Sequence, residues 1–312
     1  MIRERRDSWH ARVAIAVAAI AGLAAPSAAQ AQSAKEIRDY WTPERMENAI
    51  PGDALLSGVG PVDDALGTLG LAGSDSERDA KKVSDPTRRG KRTHGKVFFR
   101  LGLVNYQCSG TSVKAKTRSL VVTAGHCIYS EADGYASRFE FVPAYRNGNA
   151  PFGEWPAPRS ELKATDQWED NENIRYDVGM ATVSKTGGKK LAGKVGARGI
   201  AFNKGRDLTF NVFGYPAGDP YDGESMYKCR SRAMGTDKQM SPPRPTRIAC
   251  DQTGGSSGGG WVISRGRVNS VVSYGYECAI ILDPLCENPE RGNLFGPYFG
   301  GEVKELYRSQ KR

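Results

Sequence analysis

The chain has little histidine, no closely spaced cysteine pair and almost no long apolar run. Only three of its 312 residues are histidine, and no two cysteines stand in a C-x2-C arrangement. A structural zinc site is built from such ligands, so their scarcity argues against one, and we expect no metal and no cofactor. Beyond residue 31 no apolar stretch approaches the roughly 20 residues that cross a bilayer, which predicts a protein without a membrane span.

The N-terminus has the features of a secretory signal. A basic stretch with four arginines in the first twelve residues precedes an apolar run over 13–25, and Ala29-Gln30-Ala31 fits an A-x-A cleavage site. The sequence therefore predicts a signal peptide over 1–31 and a secreted protein, either extracellular or periplasmic. An uncleaved anchor is the alternative.

All six cysteines lie in the exported part of the chain. An even number of cysteines in an oxidising compartment predicts three disulfides, although fifteen pairings are possible. The order along the sequence favours Cys108–Cys127, Cys229–Cys250 and Cys278–Cys286.

The net charge of +9 includes a basic cluster over 88–92, RRGKR. Such a cluster can bind nucleic acid, but no aromatic residues alternate with it as base stacking would require. An exposed linker, open to proteolytic cleavage, is the favoured interpretation. We expect no nucleic-acid partner.

Residues 32–93 are predicted to be a pro-region or N-terminal extension. They are polar and contain too few large apolar residues to form a domain alone. One short helix is indicated, with Thr42 as N-cap and Pro43 at the first helical position. Residues 94–312 form the main domain.

Short β-rich runs separated by Gly, Pro, Asn and Asp follow residue 96, and only 303–312 looks helical. These runs lie at 97–99, 120–122, 139–142, 178–183, 208–213, 261–263 and 268–273. They predict an all-β architecture, either a sandwich or barrels.

His126 is the candidate catalytic base. His10 lies in the signal and His94 in the basic linker, which leaves His126 alone in the β-rich region. A packed structural histidine beside a disulfide is the alternative.

Ser257 is the candidate nucleophile. It lies in a glycine-rich stretch, Thr253 to Gly260, bounded by Cys250 and by an apolar run. We therefore expect a loop with a fixed conformation in the folded domain rather than a flexible linker. Glycines allow a sharp turn, and the amides of Gly255 and Ser257 can then stabilise a developing oxyanion. A serine hydroxyl needs a base to take its proton.

Asp177 is the candidate acid that orients the histidine. An apolar strand follows it at once, which anchors its position. Four other acids, Asp166, Glu169, Asp170 and Glu172, lie in a charge-rich loop and are predicted to be solvated.

Three segments resemble the signatures of trypsin-like serine proteases, in the His, Asp, Ser order of that family: TAGHC at 123–127, YDVG at 176–179 and GSSGG at 255–259. GYP at 214–216 and TGGSS at 253–257 are similar to the bacterial glutamyl-endopeptidase-like branch. The resemblance covers roughly 96–312. It implies two packed antiparallel six-stranded β-barrels with the site between them, followed by the C-terminal helix.

The resemblance also implies substrate-binding residues. Ser273, Tyr274 and Gly275 resemble the strand that binds the substrate backbone, and Cys108 resembles the cysteine that bridges to the one after the histidine. Asp251, six residues before Ser257 and followed by Gln252, has the spacing of the aspartate that selects Arg or Lys in trypsin.

Two positions depart from the family pattern. Ser256 replaces the aspartate that pairs with a newly cut N-terminus, so activation through that ion pair is not expected. Val272 replaces the histidine of the glutamyl branch, which argues against a preference for Glu.

The sequence thus predicts a secreted, monomeric serine endopeptidase that acts on proteins or peptides through His126, Asp177 and Ser257. GSSGG also matches the nucleophile elbow of α/β-hydrolases, but that fold needs a histidine after the serine and none follows residue 126. The remaining alternative is a binding protein that has the protease fold without its activity.

Overall fold

The computed structural model describes residues 32–56, 79–275 and 292–310. The predicted signal at 1–31 and the predicted disulfide Cys278–Cys286 lie outside the described residues. The helices are α1 (Ala34–Tyr40), α2 (Pro43–Glu47), α3 (Asp166–Asn171), α4 (Leu191–Val195) and α5 (Gly301–Gln310). The strands are β1 (Ile50–Pro51), β2 (Lys81–Lys82), β3 (His94–Leu101), β4 (Val104–Val113), β5 (Leu120–Thr123), β6 (Tyr129–Ser130), β7 (Gly134–Tyr135), β8 (Ser137–Pro143), β9 (Trp155–Ala157), β10 (Leu162–Ala164), β11 (Gly179–Thr182), β12 (Gly199–Ile200), β13 (Thr209–Gly214), β14 (Tyr227–Thr236), β15 (Thr246–Ala249), β16 (Gly260–Ile263), β17 (Arg267–Val271) and β18 (Asn293–Gly296).

Two large, mainly antiparallel sheets form the fold, one a nearly closed barrel and the other a half-barrel. The first has the strand order β10-β11-β5-β4-β3-β8-β9, and the second β12-β17-β16-β13-β14-β15-β18. The predicted all-β, two-barrel architecture is confirmed. Each path holds seven strands rather than six, because short strands such as β9, β10 and β12 extend the edges.

The two sheets pack against each other through a shared apolar core. Phe98 and Val113 of the first sheet lie in one buried cluster with Phe213, Val262 and Val271 of the second. Burying such side chains contributes about 1.5–3 kcal/mol each, so this junction holds the two sheets together. Loops from both sheets meet beside it, and they carry the candidate catalytic residues.

The C-terminal helix is present, as predicted. Helix α5 begins at Gly301 and packs its buried residues Val303 and Leu306 toward β10 and β11 of the first sheet. The side chain of Gln310 accepts a hydrogen bond from Thr182 at 2.9 Å, which fixes the last turn. Within the described ranges, no helix has both the length and the apolar content that a bilayer crossing requires.

Residues 32–56 pack on the outside of the first sheet. Helix α2 begins where the sequence predicts, with the Thr42 hydroxyl accepting from the Arg45 amide at 3.3 Å. Helix α1 lies against β8 and β9, burying Ile37 completely, and Trp41 donates its indole N–H to the Arg138 carbonyl. An amphipathic segment that could not form a domain alone thus gains its stability by covering an apolar face of the barrel.

Residues 79–93 pack with the second sheet instead. Strand β2 pairs antiparallel with β14, and the buried Val83 donates its backbone N–H to the Met226 carbonyl at 2.8 Å. Arg88 and Arg89 are exposed in a turn in which Arg92 donates its backbone N–H to the Arg88 carbonyl.

Glu140 gives the fold a pH dependence. It lies on β8, completely buried, and neither carboxylate oxygen has a hydrogen-bond partner in the described part of the chain. Burial raises the pKa of Glu140 from 4.5 to about 9. The like charge of Glu154 adds to this increase, and the positive charge of Arg38 opposes it. The folded protein therefore holds a proton there that the unfolded chain releases, so the contribution of Glu140 to stability is complete below pH 4.5 and is lost progressively as the pH rises toward 9.

Glu140→Gln is expected to remove this dependence, because the amide is neutral at every pH and nearly isosteric with the protonated acid. The variant should melt roughly 5–10 °C above the wild type at pH 8 and close to it at pH 4, from the size of the shift and the usual slope of melting temperature on free energy. Thermal melts at the two pH values measure this. The exposed Glu161 changed to Gln serves as control; equal melting temperatures for Glu140→Gln and the wild type at pH 8 would contradict the prediction.

Candidate active site

Two hydrogen bonds join His126 to Asp177. The His126 backbone N–H donates to Asp177 Oδ1 and the ring Nδ1 lies 2.8 Å from Oδ2. An ionised carboxylate only accepts hydrogen bonds, so Nδ1 carries a proton and Nε2 is the basic nitrogen. Asp177 is completely buried between a 3₁₀ turn, Ile174–Tyr176, and strand β11. The pair has the arrangement of a histidine base with an orienting acid.

Three further residues hold this pair. The Ser273 hydroxyl donates to Asp177 Oδ2 at 2.5 Å, and the Trp168 ring faces the His126 ring edge-on at 6.2 Å. An ideal Cβ on Gly125 would lie 2.7 Å from Trp168 Cγ and 2.9 Å from Asp177 Oδ1, so only glycine fits before the histidine. These contacts leave the imidazole a narrow range of orientations.

Ser257 lies in a loop whose shape requires glycine. Gly255 and Gly258 have φ values of +87° and +80°, which strain any L-residue with a side chain. An ideal Cβ on Gly258 would lie 2.1 Å from Thr123 Oγ1 and 2.8 Å from the Ala124 nitrogen. The loop over 253–260, called the nucleophile loop after the role predicted for Ser257, therefore lies directly against the loop that carries His126.

Ser109 on β4 ties the nucleophile loop to the first sheet. Its backbone N–H donates to the Ser257 carbonyl at 2.7 Å, and its hydroxyl donates to the Gly255 carbonyl at 2.9 Å. On the other side, Gly258 and Gly259 exchange backbone hydrogen bonds with Val272. Both sheets thus fix the backbone around Ser257.

The side chains of the candidate base and the candidate nucleophile are covered. His126 is 1% exposed and Ser257 is 3% exposed. Among the described residues His126 Nε2 has no hydrogen-bond partner, so the hydrogen bond to the Ser257 hydroxyl is not made here. Catalytic hydrogen bonds often form fully only when substrate binds.

The proposed substrate-binding residues lie around this centre. Tyr274 stacks on Phe295 at 5.0 Å and donates its hydroxyl to Asp237, while Gly275 is exposed at the end of the segment. The Ser273 backbone N–H donates to the Phe295 carbonyl at 3.0 Å. The segment is therefore braced along β18.

Asp251 already has two partners within the chain. Its Oδ1 accepts from the Ala80 backbone N–H at 2.7 Å, and its Oδ2 accepts from the Tyr221 hydroxyl at 3.0 Å. Burial first, and then the Asp251 charge, raises the pKa of Tyr221. Gln252 is buried against Cys229, with its Nε2 3.8 Å from the sulfur. A role of Asp251 and Gln252 in substrate selection stays a prediction.

The structure contains two of the three predicted disulfides. Cys108–Cys127 joins β4 to the residue after His126, and Cys229–Cys250 joins β14 to the start of the nucleophile loop. In the described ranges, Cys108, His126 and Cys127 also form a cluster of potential metal ligands. Because the two sulfurs are bonded to each other, they do not offer thiolate ligands to a metal.

No protein-family model matches the chain. Among solved structures, the protease Anisep from Arthrobacter nicotinovorans is 40% identical to it, over 73% of this chain and 98% of that protein, with a TM-score of 0.65. The chain belongs to the trypsin-like serine proteases. The thermostable serine protease AL20 from an extremophilic microorganism is 33% identical over 70% of this protease and 97% of AL20, with a TM-score of 0.63.

A Glu endopeptidase shares the fold of this protease. That structure is 18% identical, with a TM-score of 0.60 over 78% of this chain and 99% of its own. A curated relative, an extracellular metalloprotease of Bacillus subtilis strain 168, is 29% identical over 111 residues, which are 36% of this chain. The matched residues make up 34% of that relative's length. The metalloprotease activity in its name is a property of that protein.

The residues that brace the site were not predicted from the sequence. Ser273 was expected only to bind substrate, yet its hydroxyl also holds Asp177. Ser109 lies directly after the cysteine of the bridge, and nothing in the local pattern shows that it contacts a loop 146 positions away. Asp53, in the N-terminal extension, accepts a hydrogen bond from the Gly255 amide, and no local signal indicates that contact.

Proposed function

We propose that this protease is a secreted serine endopeptidase that uses Ser257, His126 and Asp177. The observation that carries the proposal is the doubly hydrogen-bonded His126–Asp177 pair, packed against a rigid glycine loop that presents a serine. A serine becomes a useful nucleophile beside such a base, which in turn needs an orienting acid.

The reaction follows from these roles. Ser257 Oγ attacks the scissile carbonyl carbon while His126 Nε2 takes its proton, and the Gly255 and Ser257 amides stabilise the carbonyl oxygen as it becomes an oxyanion. His126 then gives the proton to the leaving amine. Water, activated by the same nitrogen, hydrolyses the acyl-enzyme and restores Ser257. Neither a cofactor nor a metal ion takes part in these steps.

The precursor organisation is also part of the proposal. Residues 1–31 are a signal that is removed on export, and the two disulfides fit an oxidising compartment. Residues 79–93 supply β2 to the second sheet, so we place the end of the removable extension before residue 79 rather than at 93. The substrates are proteins or peptides, and the enzyme acts as a monomer.

Digestion of an unfolded protein tests this function. We expect the secreted chain, assayed before and after limited proteolysis and with its termini defined by intact mass, to cut the substrate at internal peptide bonds. A portion treated with a fluorophosphonate should lose the activity. Paired reporter peptides with Arg or Glu before the cleaved bond measure the preference that Asp251 is predicted to set. No cleavage by a form already trimmed to residues 79–312 would favour the inactive binding protein instead.

A further inference from the structure

A short segment of the N-terminal extension lies along the active site. Strand β1, Ile50–Pro51, pairs in parallel with Tyr106 and Gln107 of β4, immediately before Cys108. The chain then forms a 3₁₀ turn over Gly52–Leu56. We call residues 50–56 the crossing segment.

Gly52 brings the crossing segment onto the disulfide beside His126. An ideal Cβ on Gly52 would lie 2.5 Å from Cys108 Sγ and 3.3 Å from the Gln107 carbonyl oxygen. Cys108 is bonded to Cys127, the residue that follows His126. Only a residue without a side chain fits at this distance, so the glycine at position 52 is what allows the crossing segment to lie against the disulfide.

Asp53 is then placed on the amide assigned to the oxyanion hole. Its Oδ1 accepts a hydrogen bond from the Gly255 backbone N–H at 3.2 Å. An ideal Cβ on Gly254 would lie 2.4 Å from Asp53 Oδ2, so a glycine there is needed for the carboxylate to come so close. A carboxylate oxygen resembles the oxyanion of a tetrahedral intermediate in charge and in its preference for N–H donors.

The end of the crossing segment reaches the substrate-binding side. Leu55 packs against the apolar cluster of the first sheet, which includes Cys127. Leu56 packs against a different cluster, formed around Trp168 and Tyr274. The segment therefore runs from the disulfide, past the Gly255 amide, to the region where substrate is predicted to bind.

We propose that the crossing segment is a built-in inhibitor, in which the Asp53 carboxylate occupies the oxyanion position at the Gly255 amide. The inference rests on the proposed function, because it assigns a regulator to that same site. The segment resists cleavage because it presents a side-chain carboxylate, a poor electrophile, in a helical turn instead of an extended peptide carbonyl. Helix α1 contacts β8 and β9, and Met46 of α2 lies in a buried cluster with Phe98 of β3, so the segment is anchored on the first sheet. Because the chain continues into β2 of the second sheet, a cut between Leu56 and β2 is needed before the extension can dissociate.

The test compares the wild type with variants of the uncut chain. The quantity measured is the rate at which a fluorophosphonate labels Ser257. Intact mass separates uncut from cut molecules, so the rate is read on the uncut species alone. Asp53→Ala is expected to raise it roughly 10- to 100-fold over the wild type, the range for losing one hydrogen bond to a charged group. Asp39→Ala is the matched control, because Asp39 is on α1 of the same extension, outside the crossing segment, and its side chain forms an exposed ion pair with Lys35.

A second variant covers the case in which Asp53→Ala disturbs the fold. Gly52→Val keeps the carboxylate but pushes the crossing segment away from Cys108, so it should also raise the rate, and thermal melts report the fold of each variant. Equal labelling of the uncut wild type, Asp53→Ala and Gly52→Val would overturn the inhibitory role and leave the proposed function standing. No labelling of any form, including a trimmed one, would count against the proposed function itself.

Discussion

Ser257→Ala is expected to lower kcat for peptide hydrolysis about 10⁵- to 10⁶-fold in the trimmed enzyme, the size of effect seen when a triad nucleophile is lost. The attacking oxygen is gone, so no acyl-enzyme forms, and only the amides and substrate binding remain to assist direct attack by water. KM should change little, because the hydroxyl is not needed to hold substrate. Steady-state kinetics on a reporter peptide measure both constants.

The neighbouring serine provides a matched control for that variant. Ser256 is also buried, but its hydroxyl donates to the Thr253 carbonyl at 2.7 Å, inside the loop. Ser256→Ala removes that one hydrogen bond, worth about 1 kcal/mol, so kcat should fall less than about tenfold. Similar losses for the two variants would show that the loop, rather than the Ser257 hydroxyl, carries the activity.

Asp177→Asn is expected to lower kcat about 10⁴-fold with little change in KM, as for loss of the orienting acid in other triads. Asp177 accepts from three donors: the His126 backbone N–H, the ring Nδ1 and the Ser273 hydroxyl. An asparagine has only one acceptor oxygen. If its NH₂ group faces Nδ1, the ring proton moves to Nε2 and the base is lost; if the oxygen faces Nδ1, the NH₂ group opposes the His126 backbone N–H.

Asp170→Asn is the control for this second prediction. Asp170 is exposed on α3, in the charge-rich stretch predicted to be solvated. The same chemical change there should leave kcat within about twofold of the wild type, as expected for a surface substitution. If Asp177→Asn kept more than about a tenth of the wild-type kcat, Asp177 would not be the orienting acid of the triad.

The all-β class and the three candidate catalytic residues were accessible from the sequence because their signals are local, whereas the two-barrel arrangement was implied by the resemblance to trypsin-like serine proteases. Glycine stretches and apolar strand ends surround His126, Asp177 and Ser257, and the structure brings all three loops to one junction. The C-terminal helix and the Thr42 cap are equally local features. Each depends on residues a few positions apart.

Several strands carry no apolar run and were not predicted. Strand β4 is buried over seven of its ten residues, yet many of them are polar. Its small hydroxyl side chains find partners elsewhere: Ser109 donates to the Gly255 carbonyl and Ser112 to the Gly196 carbonyl. When buried polar side chains of a strand form hydrogen bonds to distant loops, the strand does not show the alternation of apolar and polar residues that predicts a half-buried strand. Strands β14, β15 and β18 were missed as well.

The contact between Asp53 and Gly255 spans 202 positions and has no local signature. Composition marked residues 32–93 as an extension, but not which part of it reaches the site. The structure divides that stretch into a portion that covers the first sheet, 32–56, and a portion that joins the second, 79–93. This division depends on which sheet each portion contacts, and those contacts leave no pattern in the local sequence.

The location of a fluorophosphonate adduct on the trimmed enzyme tests whether Ser257 is the activated nucleophile. Peptide mapping by tandem mass spectrometry identifies the modified residue, with Ser257→Ala treated in parallel. We expect one adduct per chain, on Ser257, and none on the variant. A trimmed wild-type enzyme without an adduct, or with its adduct on another residue, would contradict the assignment of Ser257 as the activated nucleophile.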